Sequence, residues 1–322
     1  MAIYELGETA IVARIVRRLD VEFEDCAILD LSETEYLVAT TDMFHRETDF
    51  PHEMSAWQIG WMCAAGTLSD IAAMGARPSG LLISMGIPDL TPAFVDSVVD
   101  GMDACARRCG TRVIGGDTDS HQELTICGTG LGRMPKDQIL RRKGANVGDI
   151  VCVTGNLGMA GLGMAELEQK REPGGSAAIN KLFEPIPRVE EGISLAESGA
   201  VTAMMDNSDG LSLSLHQLAN VNCCGFEIMA SALPVPPELR ADADAAPGSG
   251  LDSAPASALA LELALYAGGD FELLATVAPD RLGDATRVCE LTAIGRVIDD
   301  GVFLKDCNGV TERIERKGYR SL

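Results

Sequence analysis

Aspartate residues recur in one local context along this chain, at the end of an apolar strand-like segment or at the start of a helix-like one. Several have glycine or another small residue beside them, which lets a ligand approach the backbone. They are Asp25, Asp42, Asp70, Asp117 and Asp206, and Asp209 follows in Ser208-Asp209-Gly210. A cluster that supplies only oxygen ligands favours hard cations, chiefly Mg²⁺. The alternative for any one of these aspartates is a turn or cap residue.

The stretch from Leu68 to Gly75 is the centre of this pattern. Ser69 and Asp70 lead into an apolar run that Gly75 and Pro78 close. An aspartate beside a serine near a helix end can accept backbone N–H bonds, so capping is the simpler interpretation of Asp70. If the other aspartates converge on Asp70, it is a metal ligand instead.

Hydrophobic periodicity predicts an α/β or α+β protein in which mixed sheets are flanked by helices. Strands are predicted at 26–29, 36–42, 80–87, 111–117, 124–132, 149–154, 201–206, 271–277, 291–297 and 301–304. Helices are predicted at 8–19, 56–74, 94–109, 156–169, 185–198, 211–219 and 284–290. We place a domain boundary at the start of the polar, basic stretch 136–148. The two predicted domains are therefore residues 1–135 and 136–322.

Composition argues against several classes of protein. The chain has 322 residues and a net charge of −22, from 26 basic and 48 acidic residues. Nucleic-acid binding needs basic patches, so we expect no nucleic-acid partner. No stretch is long and apolar enough to span a bilayer, and the first residues lack the pattern of a signal peptide, so we expect a cytoplasmic protein. Ten scattered cysteines without a C-x-x-C motif indicate reduced thiols rather than a zinc site.

The sequence has neither a P-loop nor the glycine-rich loop of protein kinases. Its four histidines are dispersed and do not suggest a histidine metal site. A nucleoside triphosphate brings roughly four more negative charges, so metal ions would have to lie between it and the carboxylates.

Six short segments, in order and spacing, resemble the thiamine-monophosphate kinase family, which belongs to the aminoimidazole-ribonucleotide-synthetase (PurM-like) superfamily. They are Asp25-Cys26-Ala27, Thr40-Thr41-Asp42, Leu68-Ser69-Asp70-Ile71-Ala72-Ala73-Met74-Gly75, Gly115-Gly116-Asp117-Thr118, Ser208-Asp209-Gly210-Leu211 and Lys317-Gly318-Tyr319. The stretch 41–51 is similar to archaeal members in particular. The third and last segments narrow the resemblance from the superfamily to the kinase.

This resemblance implies two α/β domains, a homodimer joined through the N-terminal domains, and ATP with several Mg²⁺ ions in the cleft. The residues it implies as metal ligands are Asp25, Thr40, Thr41, Asp42, Asp70, Asp117, Asp206 and Asp209. Those implied to contact ATP are Gly116, Asp117, Arg142 and Ser208. The candidate catalytic residues are Asp70, Asp117, Arg142 and Asp206.

The positions that the resemblance implies for the substrate are Asp49, Gly269 and Tyr319, and Tyr319 would lie against the thiamine moiety. Asp49 stands where many bacterial members carry histidine, and Gly269 stands where most members carry glutamate. The chain also has Phe23-Glu24-Asp25 where the family usually has Gly-Asp-Asp. The metal and ATP motifs are thus better preserved than the thiamine motifs.

The sequence therefore predicts an ATP-dependent kinase that converts thiamine monophosphate into thiamine diphosphate. The acceptor is an anionic phosphate oxygen, so catalysis would need positioning and charge neutralisation by Mg²⁺ and Arg142 rather than a strong general base. One alternative is another ATP-dependent activity of the superfamily, such as amidine ring closure or hydrogenase maturation. Maturation proteins carry a C-terminal cysteine tail, and this sequence ends Arg320-Ser321-Leu322. The other alternative is a nucleotide-binding regulatory protein without turnover, although binding ATP alone would not require so many acids.

Overall fold

The computed structural model describes residues 8–169, 176–240 and 258–319. The N-terminal elements are α1 (Glu8–Leu19), β1 (Ala27–Asp30), β2 (Glu35–His45), α2 (Ala56–Ala73), β3 (Arg77–Ile87), α3 (Pro92–Arg108), β4 (Val113–Ser120) and β5 (Thr125–Pro135). The C-terminal elements are β6 (Ile150–Thr154), α4 (Met159–Glu168), α5 (Ala177–Phe183), α6 (Val189–Ser198), β7 (Val201–Asn207), α7 (Leu211–Asn222), β8 (Gly225–Met229), α8 (Pro237–Arg240), α9 (Ala258–Tyr266), β9 (Glu272–Val277), α10 (Leu282–Val288), β10 (Leu291–Ile298), β11 (Val302–Lys305) and β12 (Thr311–Arg313). The predicted mixed α/β class is confirmed.

The N-terminal strands form one five-stranded sheet in the order β1-β2-β5-β3-β4. Its pairs are antiparallel except for the parallel pair of β3 and β4. Side chains alternate between the two faces of a strand. On β2, Val38 and Thr40 are buried, whereas Thr41 and Met43 are exposed on the opposite face.

Helix α2 lies between the two sheets and connects them. A capping box of Ser55 and Gln58 begins it, and apolar residues surround almost its whole circumference, as in a fully buried helix. Its far end meets α6 so closely that a Cβ added at Gly192 would lie 2.1 Å from the carbonyl oxygen of Ala72. This contact places Asp70 at the junction between the two halves of the chain.

The C-terminal strands form a seven-stranded sheet in the order β12-β11-β8-β10-β6-β9-β7. The edge strand β7 pairs with β9 and ends at Asp206 and Asn207, which are both buried. None of the helices in the described ranges combines the length and the apolar character needed to cross a membrane.

Candidate active site

Three carboxylates from distant parts of the chain meet at the junction between the sheets. Asp25 precedes β1, Asp70 lies near the end of α2, and Asp206 lies near the end of β7. Each offers one oxygen, and these oxygens all lie within 4.8 Å of one another. Such an arrangement of oxygen donors is the geometry expected of a site for a divalent cation.

Asp25 divides its two oxygens between a side-chain cation and this cluster. Its Oδ1 accepts hydrogen bonds from Nε of Arg142, at 3.1 Å, and from Nη2. Arg142 also donates to Gln217 at 3.0 Å and stacks on Phe23, 4.7 Å from the ring centroid. The other oxygen, Oδ2, is the one buried side-chain N or O atom of the described residues that lacks a hydrogen-bond partner. A buried oxygen of this kind needs a partner, and a cation would supply one, so the donor set fits Mg²⁺.

Asp70 and Asp206 receive hydrogen bonds from neighbouring hydroxyls, and Ser208 is one of the donors to Asp206. Thr40 donates to Oδ2 of Asp70 at 2.5 Å, and Ser69 donates to Oδ2 of Asp206 at 3.3 Å. Burial, together with the charges of nearby carboxylates, raises the pKa of Asp70 well above its ordinary value. Burial and the charge of Asp25 raise the pKa of Asp206 to about 7. Three anions at this spacing repel one another, so the protein favours either protons or a cation here.

Asp42 lies beside the cluster on the inner face of β2. Burial and the charges of Asp209 and Asp25 raise its pKa to about 6, against a hydrogen bond from Thr67 that lowers it. The hydroxyl of Thr41 lies on the opposite face of the same strand, where it donates to the carbonyl of Gly128 at 3.1 Å. Of the Thr40–Thr41 pair, the structure therefore brings only the Thr40 hydroxyl to the carboxylates.

Asp117 is not part of this cluster. It lies on the edge strand β4, where its register partner is Ser84; Ser84 pairs in turn with Cys127, and Cys127 with Met43. Three strand spacings of about 4.8 Å separate Asp117 from β2, which corresponds to roughly 14 Å. Its side chain is exposed and accepts a hydrogen bond from the backbone of Thr118 at 2.9 Å.

A cavity of about 320 Å³ adjoins Asp117. Its lining residues include Val99 and Met102 of α3 and Gly116 of β4. Gly116 has no room for a side chain, because an added Cβ would lie 1.8 Å from the carbonyl oxygen of Ile83. Gly116 and Asp117, both implied to contact ATP, thus share one cavity that is separate from the three clustered carboxylates.

The loop that follows β7 connects the carboxylates to the end of the described chain. The carbonyl of Ser208 accepts the N–H of Gly269 at 2.7 Å, and the carbonyl of Asp209 accepts the N–H of Tyr319 at 3.0 Å. Gly210 follows with φ at +99°, a conformation that favours glycine. Ser208, Asp209, Gly269 and Tyr319 are therefore neighbours in the fold.

A second cavity, of about 430 Å³, lies between the two halves of the chain beside this loop. We call it the interdomain pocket. Its lining residues are Phe44, Glu47, Thr48, Asp49, Phe50, Pro51, His52, Glu53, Met62, Met164, Leu167, Glu168, Leu182, Phe271 and Tyr319. The hydroxyl of Tyr319 donates to Oδ1 of Asp49 at 2.6 Å and so crosses from one half to the other. The described part of the lining combines aromatic rings with carboxylates and includes no lysine or arginine, a composition that suits a cationic aromatic ligand.

Comparison with known proteins gives a consistent relationship over most of the chain. Residues 23–134 match the N-terminal domain of AIR synthase related proteins, and residues 146–306 match their C-terminal domain. A thiamine-monophosphate kinase of Methanospirillum hungatei is 42% identical over 296 residues, which are 92% of this chain and 92% of the relative. The chain belongs to the thiamine-monophosphate kinase family. The resemblance identified from the sequence is thereby confirmed.

Other members of the thiamine-monophosphate kinase family agree in sequence and in fold. The kinase of Halobacterium salinarum is 37% identical over 270 residues, covering 82% of this chain and 86% of the relative. A solved structure of AaThiL, complexed with AMPPCP and TMP, superposes with a TM-score of 0.87 at 27% identity. That superposition covers 100% of this chain and 99% of the other.

Neither the sequence patterns nor the family resemblance predicted two features of this site. The first is the role of Asp270, whose buried carboxylate accepts the N–H groups of Gly158 and Ala160 and so caps the start of α4. The second is Phe271, which lines the interdomain pocket. An aromatic residue next to the Gly268-Gly269-Asp270 turn was a signal that could have identified Phe271. Nothing local in the sequence indicated the capping role of Asp270.

Proposed function

We propose that this protein transfers the γ-phosphoryl group of ATP to the phosphate of thiamine monophosphate and so produces thiamine diphosphate. The observation that carries the proposal is the interdomain pocket beside the buried carboxylates. Thiamine has a permanently cationic thiazolium ring and a pyrimidine, and the pocket offers aromatic faces together with Glu47, Asp49, Glu53 and Glu168. A ring bound there would direct its phosphate toward the Ser208–Asp209 loop.

The residues that would hold Mg²⁺ are Asp25, Asp42, Asp70 and Asp206, with Asp209 at the edge of the group. When bound, Mg²⁺ would neutralise the negative charge that develops on the phosphate oxygens during phosphoryl transfer. Arg142, fixed by Asp25, would add a further positive charge near the phosphates. Gly116 and Asp117 would contribute to the nucleotide site from β4, and the use of ATP is consistent with the AMPPCP bound to the related AaThiL.

The reaction requires little proton transfer, because the attacking phosphate oxygen is already ionised at neutral pH. The protein's contribution is then to align donor and acceptor and to exclude water. Tyr319 would hold the thiamine side through its ring and its bond to Asp49. Its backbone bond to Asp209 would fix the same residue to the phosphate side.

We also propose a homodimer formed through the open face of the five-stranded sheet. Helices α2 and α3 cover one face, whereas the other exposes the apolar side chains of Leu29, Met43, Leu82 and Ile114. Apolar surface of this kind on a sheet is typical of an interface, and a closed twofold contact is the commonest way to cover it. The cytoplasmic location and the boundary at residues 135 and 136 remain predictions.

A coupled assay of ADP release over a panel of phosphorylated vitamins tests the proposed reaction. We expect turnover with thiamine monophosphate, strict dependence on Mg²⁺, and thiamine diphosphate as the chromatographically identified product. ATP hydrolysis without thiamine diphosphate, or turnover only with another member of the panel, would contradict the proposal.

A further inference from the structure

Phe271 has a backbone conformation that its residue type disfavours. The non-glycine residues with positive φ in the described ranges are Asp20 at 53°, Cys223 at 52° and Phe271 at 50°. The first two directly follow α1 and α7, where a left-handed residue commonly ends a helix. Phe271 follows no helix end of this kind and precedes β9, so its conformation is a strained one.

The phenyl ring of Phe271 forms part of the wall of the interdomain pocket and is 9% exposed as a residue. Next to it, Gly66 of α2 makes space for the ring of Phe44, since a Cβ added there would lie 2.7 Å from that ring, and the ring of Phe271 lies at a van der Waals distance of 3.6 Å from the same point. The strained residue therefore presents an aromatic side chain to the same cavity as Tyr319.

The carboxylate immediately before Phe271 is fixed by the start of α4. Oδ2 of Asp270 accepts the N–H of Gly158 at 2.6 Å, and Oδ1 accepts that of Ala160 at 2.9 Å. Asp270 is 2% exposed, and these bonds leave its side chain little freedom.

The carboxylate immediately after Phe271 is held by three side chains. Glu272 accepts Nε and Nη2 of Arg188 at 2.6 and 2.8 Å, Nζ of Lys181 at 2.8 Å and the hydroxyl of Thr154 at 2.8 Å. The space around it is closed, since a Cβ added at Gly155 would lie 2.4 Å from Oε1 of Glu272. A buried ion pair of this kind seldom stabilises a fold more than apolar residues of the same volume would. Stability alone is therefore a weak explanation for it.

We infer that Phe271 determines the specificity of the interdomain pocket for the heteroaromatic part of thiamine monophosphate, and that Asp270 and Glu272 are positioning residues that hold it there. This inference rests on the proposed function. An aromatic wall that is already in place loses little conformational entropy when the ligand binds. The strain in the backbone is offset by the bonds of the two flanking carboxylates.

Steady-state kinetics of Phe271→Leu and Phe271→Tyr test the specificity role. We expect Phe271→Leu to raise KM for thiamine monophosphate about 2- to 10-fold, the range for loss of an aromatic pair, with KM for ATP unchanged. Phe271→Tyr should stay close to wild type. Phe226→Leu is the matched control, since this phenylalanine is fully buried in β8 and does not line the pocket. It should lower the melting temperature without altering KM for thiamine monophosphate.

Arg188→Lys tests the positioning role, because it keeps the charge beside Glu272 but removes the two-pronged contact. We expect it to raise KM for thiamine monophosphate about 2- to 5-fold with kcat nearly unchanged, since binding and not chemistry depends on Phe271. If Phe271→Leu raises this KM and Arg188→Lys leaves it unchanged, the positioning half of the inference is wrong.

Melting temperatures of glycine and alanine variants test the strain directly, without any substrate. At position 271 the glycine variant should melt higher than the alanine variant, because only glycine adopts positive φ freely. At position 226, inside a strand, the order should reverse.

The whole inference fails if Phe271→Leu leaves KM for thiamine monophosphate within experimental error, or raises both Michaelis constants equally. It also fails if the alanine variant at 271 melts higher than the glycine variant. A wild-type protein with no activity on thiamine monophosphate would instead overturn the proposed function, and direct binding of that ligand to the variants would then distinguish the two failures.

Discussion

Asp25 and Arg142 form a buried ion pair that joins the two halves of the chain. The side chain of Asp25 is 0% exposed and that of Arg142 is 11% exposed. Because the guanidinium occupies only Oδ1, the other oxygen can bind a cation while the ion pair stays intact. Asp25 thus takes part both in the contact between the two halves of the chain and in the proposed metal site.

Asp70→Asn tests whether the clustered carboxylates bind metal or serve the fold. The change keeps the shape of the side chain and removes its charge. We expect kcat to fall about 10²-fold or more, while the melting temperature of the metal-free protein stays level or rises, because three carboxylates repel one another. Asp137→Asn, at an exposed position, is the control and should alter neither quantity. Near-wild-type turnover of Asp70→Asn would show that the charge of Asp70 serves neither metal binding nor the reaction; its interpretation as a helix cap is already wrong, because Ser55 caps α2 and Asp70 lies in the last turn of that helix.

The stability of the metal-free protein should fall as the pH rises. The pKa of Asp42 is raised from 3.8 to about 6 and that of Asp206 from 3.8 to about 7. The folded state therefore binds more protons than the unfolded state, and the stability present below pH 4 is lost as the pH rises through 6 and 7. Calorimetry at constant ionic strength in EDTA should show a melting temperature several degrees lower at pH 8 than at pH 5.

Two controls separate this effect from general charge repulsion. Saturating Mg²⁺ should remove most of the fall in melting temperature between pH 5 and pH 8, because the cation replaces the protons. In EDTA, the melting temperature of Asp206→Asn should vary less with pH than that of the wild type. An equally steep profile in that variant would show that the cluster is not its source.

Replacing Tyr319 should change KM for thiamine monophosphate and leave KM for ATP unchanged. Loss of an aromatic face next to a cationic ring costs about 0.5–2 kcal/mol, so Tyr319→Ala should raise KM for thiamine monophosphate about 2- to 30-fold. Tyr319→Phe removes only the hydroxyl that donates to Asp49 and should have a smaller effect. A change confined to the ATP constant would mean that Tyr319 does not face the thiamine site.

Gly269→Glu should not restore a substrate contact in this chain, although most relatives were expected to carry glutamate there. Gly269 has φ at +93°, and an added Cβ would lie 3.2 Å from that of Ala160. We expect the variant to lose about 1–2 kcal/mol of stability and to show no fall in KM for thiamine monophosphate. Denaturant unfolding and kinetics on the same preparation measure both, and a lower KM at unchanged stability would contradict this reading of the turn.

A charge on the open face of the five-stranded sheet should break the proposed dimer. Met43 is 62% exposed, so Met43→Glu should not disturb the fold of the protomer. Light scattering at micromolar concentration should give twice the protomer mass for wild type and a single protomer for the variant. Val288→Glu on α10, also at an exposed apolar position, is the control. A wild-type protein that is monomeric and active would rule out a required dimer.

Much of this molecule is determined by local patterns that the sequence displays directly. The apolar circumference of α2 predicts a buried helix, and the order of motifs from Asp25 to Tyr319 identifies the family and the reaction. These features depend on residues that are close in sequence, or on motifs that relatives share. Thr40 and Thr41 were both implied as metal ligands, but successive side chains of a strand point to opposite faces, so the structure brings only the Thr40 hydroxyl to the carboxylates.

The tertiary structure alone decided which of the predicted residues meet. Asp25, Asp70 and Asp206 converge because α2 lies between the two sheets, whereas Asp117 is separated from β2 by the strand order β2-β5-β3-β4. Tyr319 reaches Asp49 across 270 positions of sequence. The left-handed Phe271 lies between Asp270 and Glu272, which make bonds to α4, to α5 and to the residue just before α6. Contacts between such distant segments result from packing, and no local preference in the sequence encodes them.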